Sequence, residues 1–265
     1  MKKIGILGIG KMGFSILNGI IKTKLYSNSD LIVYARRPET ISMIPRGVDV
    51  AKSELDLFNR CEVFIIAIKP QSFKGVLMKL QNSDHKPIIV SIAGGITLNY
   101  LESFFPNGKI IRSMPNMAAT INQSVTAISV NKFINNDDLE LVIKIFKSFG
   151  EAFVIEERDM DKMVGLNGSF SAFLYYFLDS FIKAGIKSGL SKTLATDTVI
   201  KTAKASLALL ENDNRSIDQL IKDICSPNGI TIEGIKVLKE ENLEAIAIKT
   251  IEACEKRSIE LGKGN

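Results

Sequence analysis

Ile4-Gly5-Ile6-Leu7-Gly8-Ile9-Gly10-Lys11-Met12-Gly13 is the stretch on which the reading of this chain turns. A short strand pattern runs straight into a G-x-G-x-x-G turn, and Phe14 to Ile21 continues with helical spacing. In such a strand–turn–helix, Gly8 permits the tight turn. Gly10 leaves room for a pyrophosphate beside the backbone, and Gly13 lets helix and strand pack closely. The helix start at Lys11 and Met12 points amides and the positive end of a dipole toward phosphate charge. A glycine turn without a ligand is the plain alternative. Strand, helix and second strand in register favour a dinucleotide.

Working outward, Ile4 to Ile9, Leu31 to Ala35, Val63 to Ile68, Ile88 to Ile92 and Ile110 to Arg112 read as strands. Their apolar runs are continuous, as expected where helices cover both faces of a parallel sheet. Val125 to Val130 and Ala152 to Ile155 extend the sheet, with a helix from Asp137 to Phe149 between them. This predicts an α/β fold, a Rossmann-like doubly wound sheet over residues 1–157. Residues 158–265 carry helical periods only: Met160 to Lys187 interrupted by glycines, Lys192 to Leu210, Ile217 to Ile224, Thr231 to Lys239 and Leu243 to Arg257. Phe170 to Phe181 is too aromatic for one narrow helix stripe. A face shared with a second copy is the favoured account, with a monomeric bundle as the alternative.

The second strand ends at Tyr34-Ala35, followed by Arg36-Arg37-Pro38. An acid at that point would bond the adenosine ribose of NAD, and none stands there. Two guanidinium groups instead suit a 2′-phosphate, so NADP is favoured and NAD remains possible. Two solvated surface arginines are the alternative reading.

Composition narrows the rest. The 265 residues are 46% hydrophobic and 24% charged, which excludes a disordered chain and a disulfide scaffold. The central apolar run Val63 to Ile68 is far short of the roughly 20 residues a membrane helix needs. The Lys2-Lys3 pair and the segment after it read as the approach to a first strand rather than as a signal peptide. Cys61, Cys225 and Cys254 lack CxxC spacing, so a reduced, cytoplasmic setting is expected. Residues 1–150 hold 19 basic and 11 acidic side chains, against 15 and 18 in 151–265. The basic residues are dispersed, so a phosphorylated cofactor is expected and nucleic acid is not.

The one histidine, His85, stands in the polar segment Asn82 to Pro87 and reads as surface. That disfavours hydroxyacid dehydrogenases using histidine, and no His/Cys/acid cluster has metal-ligand spacing. Reduction of a C=N bond demands less: a protonated imine is already positive, and hydride addition neutralises it. An anchor for such a substrate is Ser226-Pro227-Asn228-Gly229-Ile230-Thr231, whose amides around Gly229 open a helix that suits a carboxylate. The Thr231 hydroxyl either caps that helix or meets substrate, and spacing alone favours the cap.

These blocks, together with Ala67-Ile68-Lys69-Pro70-Gln71, Ser91-Ile92-Ala93-Gly94-Gly95-Ile96, Arg112-Ser113-Met114-Pro115-Asn116 and Glu233-Gly234, resemble the pyrroline-5-carboxylate reductases over essentially the whole chain. The resemblance implies reduction of 1-pyrroline-5-carboxylate to proline with NADPH or NADH. It also implies a helical C-terminal dimerisation domain, and dimers that associate further. Gly8, Gly10, Lys11, Met12, Gly13, Arg36, Arg37, Ala67, Lys69, Pro70 and Asn116 would then serve the cofactor. Ser226, Asn228, Gly229, Ile230 and Thr231 would hold a small cyclic imino acid, with Thr231 nearest the ring nitrogen as the catalytic residue.

The chain departs from that pattern at several positions. Phe170 stands for a usual glycine, Ser171 for a proline, Asn228 for a glycine, Ile230 for a threonine and Met117 for a threonine. A paralogue reducing another cyclic imine and a non-catalytic NADP-binding regulator are the competing readings. A β-hydroxyacid dehydrogenase is a third, though Asp161 to Asn167 does not reproduce its lysine-and-asparagine helix.

Overall fold

A computed structural model describes residues 4–24 and 26–263; the Lys2-Lys3 pair lies outside them. In chain order the first elements are β1 (Ile4–Leu7), α1 (Lys11–Lys22), β2 (Leu31–Tyr34), α2 (Pro38–Ser42), β3 (Asp49–Val50), α3 (Glu54–Arg60) and β4 (Val63–Ile66). Then come α4 (Phe73–Leu80), β5 (Ile88–Ser91), α5 (Leu98–Phe104), β6 (Ile110–Met114), β7 (Ser124–Val130), α6 (Asn136–Lys147) and β8 (Gly150–Val154). Among the described residues the strands make one eight-stranded sheet in the order β3-β2-β1-β4-β5-β6-β7-β8.

Continuous apolar strands here follow from cover on both faces. Ile4 and Ile6 of β1 and Val63 and Ile65 of β4 pack with Ile16 and Ile20 of α1 and Phe146 of α6. The alternate residues Leu7, Phe64 and Ile66 pack with Phe58 of α3, Leu77 of α4 and Leu101 of α5. Pairing is parallel from β3 through to β6, antiparallel between β6 and β7, and parallel again between β7 and β8. The reversal follows from length: residues 115–123 are too few for the crossover that a parallel return requires. The two-residue β3 carried no strand pattern in the sequence.

The helical part continues with α7 (Glu157–Met163), a π-helical turn at Val164–Gly168, α8 (Phe170–Lys187), α9 (Lys192–Glu211), α10 (Ile217–Ile224), α11 (Ile230–Glu240) and α12 (Leu243–Lys263). The helix expected over Met160 to Lys187, interrupted by glycines, breaks at Val164–Gly168, the turn that holds Gly165 and Gly168. The chain forms two compact units, Met1–Ser169 with Ile251–Asn265, and Phe170–Thr250. The sequence division after residue 157 assigned α7 to the helical part, whereas the compact units group it with the sheet. The buried Arg112 of β6 accounts for that. Its Nη2 lies 2.6 Å from Asp161 Oδ1, and its Nη1 lies 3.5 Å from Glu157 Oε1. Ser258 Oγ, on the returning end of α12, donates to the same Asp161 oxygen at 2.7 Å.

In the second unit α8 and α9 form a hairpin. Leu190 N–H donates to Gly185 O and Gly189 N–H to Ile186 O, with Gly189 left-handed at φ +96°. Ala195 packs against Gly185 at the close approach of the two helices. Phe170, Tyr175, Tyr176, Phe177 and Phe181 are all exposed within the single chain. Among the described residues no helix is long and apolar enough to cross a membrane.

Candidate functional site

The three glycines of the first turn differ in what surrounds them. Gly8 is left-handed at φ +93°, and its N–H donates to Tyr34 O at 3.1 Å. A Cβ there would stand 2.7 Å from Ala67 O, and one on Gly13 would collide with the Gly8 carbonyl. Gly10 has nothing within 4 Å of where its Cβ would be. It is the N-cap of α1, with no side-chain cap and no acid in the first turn. Two glycines are thus required by the protein's own packing. The third leaves open space beside uncapped amides, which fits a pyrophosphate.

A cavity of about 220 Å³ runs from this turn past Tyr34 and Ala35 to Arg36, Arg37 and Thr40, with Ile68, Ser72 and Val76 along its wall. Arg37 makes no ion pair among the described residues. Arg36 Nη2 lies 2.8 Å from Oε1 of Glu54, the first residue of α3. Glu54 is an acid in the pocket that the sequence reading missed. Burial pushes its carboxyl up, but the hydrogen bond from Arg36, its backbone bond and the charge of Lys79 together hold it below the usual range. The sequence held only a weak sign of it, the Ser53 N-cap with acids at Glu54 and Asp56. Its distance of 18 residues from Arg36 gave no local pattern.

Lys11 is exposed and Met12 half-buried at the start of α1. Ala67 donates its N–H to Leu7 O at 2.8 Å, just past the end of β4. Lys69 is exposed and leads into a short turn that starts at Pro70. The Asn116 side chain is engaged on both sides: its Oδ1 accepts from Ala118 N–H and Val125 N–H, and its Nδ2 donates to Asn167 Oδ1 at 3.0 Å. Asn167 Nδ2 in turn donates to Met114 O at 2.8 Å. Asn116 therefore shapes the loop after β6, and the buried Asn167 is a partner the sequence did not reveal. His85 Nε2 bonds Cys61 O at 2.6 Å, before the starts of β4 and β5 and so at the opposite strand ends from the glycine turn.

In the second unit one turn brings together Ser226, Asn228, Gly229, Ile230 and Thr231. Gly229 N–H donates to Ser226 O at 3.0 Å, and a Cβ on Gly229 would collide with Ser226 Oγ. Gly229 is the N-cap of α11, which has no side-chain cap. Thr231, exposed at the second helical position, is therefore not the cap that spacing alone favoured. Asn228 is left-handed at φ +59°, a conformation asparagine tolerates better than most residues. Its replacement of a usual glycine therefore keeps the turn. Ile230 is 95% exposed.

A family described as NADP oxidoreductase, coenzyme F420-dependent, matches residues 3–95, and one described as pyrroline-5-carboxylate reductase dimerisation matches residues 157–261. Sheet order, glycine turn and these matches define a Rossmann-type nucleotide-dependent oxidoreductase. Pyrroline-5-carboxylate reductase of Escherichia coli is 31% identical over 99% of both chains. Among solved structures, the Plasmodium falciparum pyrroline carboxylate reductase with NADP bound is 28% identical over 98% of both chains, with a TM-score of 0.91. The Streptococcus pyogenes 1-pyrroline-5-carboxylate reductase is 34% identical over 98% of both, with a TM-score of 0.89. This chain belongs to the pyrroline-5-carboxylate reductase family.

Proposed function

We propose that the chain reduces 1-pyrroline-5-carboxylate to L-proline, with NADPH preferred as the hydride source and NADH accepted. The observation that carries this reading is the end-to-end likeness to reductases of that substrate. Two glycine-capped helix starts, at Gly10 and Gly229, give it a physical basis. In this reading residues 1–157 bind nucleotide, and residues 158–265 bind substrate and dimerise.

Gly8, Gly10 and Gly13 with the amides of Lys11 and Met12 hold the pyrophosphate, and Arg36 and Arg37 meet the 2′-phosphate. Ala67, Lys69 and Pro70 border the nicotinamide, and Asn116 holds the adjoining loop in shape. When bound, the nucleotide supplies a hydride. Amides at Gly229 to Thr231 hold the substrate carboxylate, on a turn shaped by Ser226 and Asn228 and flanked by Ile230. That grip sets which face of the ring is presented. The Thr231 hydroxyl bonds the ring nitrogen and steadies its proton while the imine carbon gains hydrogen; the nitrogen ends as an amine. No strong acid is needed, because the protonated imine loses its charge in the step. The exposed aromatic face of α8 is covered by a second copy, so the working form is a homodimer or an assembly of dimers, acting in the cytoplasm.

The test is NADPH oxidation with 1-pyrroline-5-carboxylate, run beside 1-pyrroline-2-carboxylate and a hydroxyacid/ketoacid pair. Turnover of the first alone is expected. Turnover only of another imine would replace the substrate, and NADPH binding without any turnover would make the chain a regulator. Thr231→Ala should lower kcat/KM by about 100-fold with NADPH affinity unchanged, and parental kinetics would remove Thr231 from the mechanism.

A further inference from the structure

The acid that the end of β2 lacks is supplied from α3. Glu54 has 8% of its side chain exposed, and Arg36, at 66%, reaches over it to make the 2.8 Å ion pair. Both line the cavity with Tyr34 and Thr40, and Lys79 Nζ stands 3.6 Å from the other carboxylate oxygen. We propose that Glu54 sets the cofactor preference: its carboxylate accepts the adenosine 2′-hydroxyl of NADH and opposes the 2′-phosphate of NADPH. This rests on the nucleotide reading above and deepens it.

Charge and hydrogen-bonding capacity separate the two nucleotides at this carboxylate. A 2′-phosphate that draws on Arg36 comes within a guanidinium's width of Glu54, so the two anions share Arg36, while Lys79 stands beside the far oxygen of Glu54. A carboxylate has only acceptors, so it gives a phosphate dianion nothing and a ribose hydroxyl a charge-assisted bond. Among the described residues Arg37 carries no such counter-ion, and it attracts the phosphate outright. The pocket therefore holds one arm for each nucleotide, and the preference for NADPH is weaker than two unpaired arginines would give.

NADPH and NADH fluorescence titrations on the whole protein, at constant ionic strength, read this directly. Glu54→Gln keeps the side-chain shape and a bond to Arg36. It should tighten NADPH about tenfold and weaken NADH about threefold. A ratio of the two affinities within twofold of the parent overturns the role of Glu54. Should Glu54→Gln not fold, Arg36→Met and the double variant Arg36→Met/Glu54→Gln answer the same question, since the double removes both partners of the pair together. The double variant should bind NADPH about tenfold more tightly than Arg36→Met, because the opposing anion is gone; equal binding overturns the proposal. A parent protein that binds neither nucleotide would overturn the nucleotide reading itself. Binding of either with an unmoved ratio would overturn Glu54 alone.

Discussion

The two compact units bury their apolar residues to very different degrees. Around the sheet, Phe58, Phe64, Phe146 and Phe149 are sealed between helices and strands. Across Phe170–Thr250 the only buried residue is Ala195, while Tyr176 is 76% and Tyr175 67% exposed. Covering a large apolar side chain contributes roughly 1.5–3 kcal/mol, so one unit draws stability from its own interior and the other has almost none to draw on. An apolar face of that size in a water-facing helix pair marks an association surface. The dimerisation family's match over residues 157–261 includes all of it.

The sharpest way to break the contrast is to charge the exposed face. Tyr176→Glu with Phe177→Glu should reduce the assembly to single chains by light scattering, since burying two unpaired carboxylates costs more than about 5 kcal/mol. NADPH affinity should stay within about twofold. An unchanged mass would move the interface elsewhere. A smaller effect is expected inside the first unit, where two glycines three residues apart separate packing from binding. Gly13→Ala drives a methyl into the Gly8 carbonyl and should cost about 3 kcal/mol in denaturant unfolding. Gly10→Ala meets open space, so unfolding should stay within about 0.5 kcal/mol of the parent while NADPH weakens roughly tenfold. Equal losses of stability would show that the turn is structural throughout.

The same contrast governs how much could be read in advance. β1, β2, β4 and β5 were legible because both their faces are buried, leaving unbroken apolar runs between turn residues. α10 was legible to the residue through its strong two-sided pattern, with Ser216 as cap. β3 was not, since two residues, Asp49 and Val50, at the sheet edge are too few to show a strand period. The interruption at Val164–Gly168 was visible only as glycines in a helical run. The partner that needs a glycine there is distant in sequence: Gly165 lies against Ile251, where a Cβ would stand 2.7 Å from Ile251 Cδ1. The return of α12 to the first unit and the arrival of Glu54 beside Arg36 are likewise long-range events with no periodic trace. The turns at Gly8 to Gly13 and at Asn228-Gly229 were legible because Gly8 and Asn228 take left-handed backbone and Gly13 admits the Gly8 carbonyl, while Gly10 leaves open space at the helix start.

The smallest effect expected sharpens where one unit ends. Asn167 belongs to the unit of the sheet, although a division after residue 157 would give it to the helical part. It is 4% exposed and links the π-helical turn to β6 through Met114 O and to the following loop through Asn116. Asn167→Ala leaves that carbonyl and the Asn116 amide unpaired, which should cost about 1–3 kcal/mol. Amide exchange should rise at Ala118 and Val125, whose N–H groups bond Asn116 Oδ1. The mass of the assembly should not change. A variant that instead came apart into single chains with exchange at those two amides unaltered would show that Asn167 supports the association surface. The π-helical turn would then be the first element of the helical unit rather than the last of the sheet.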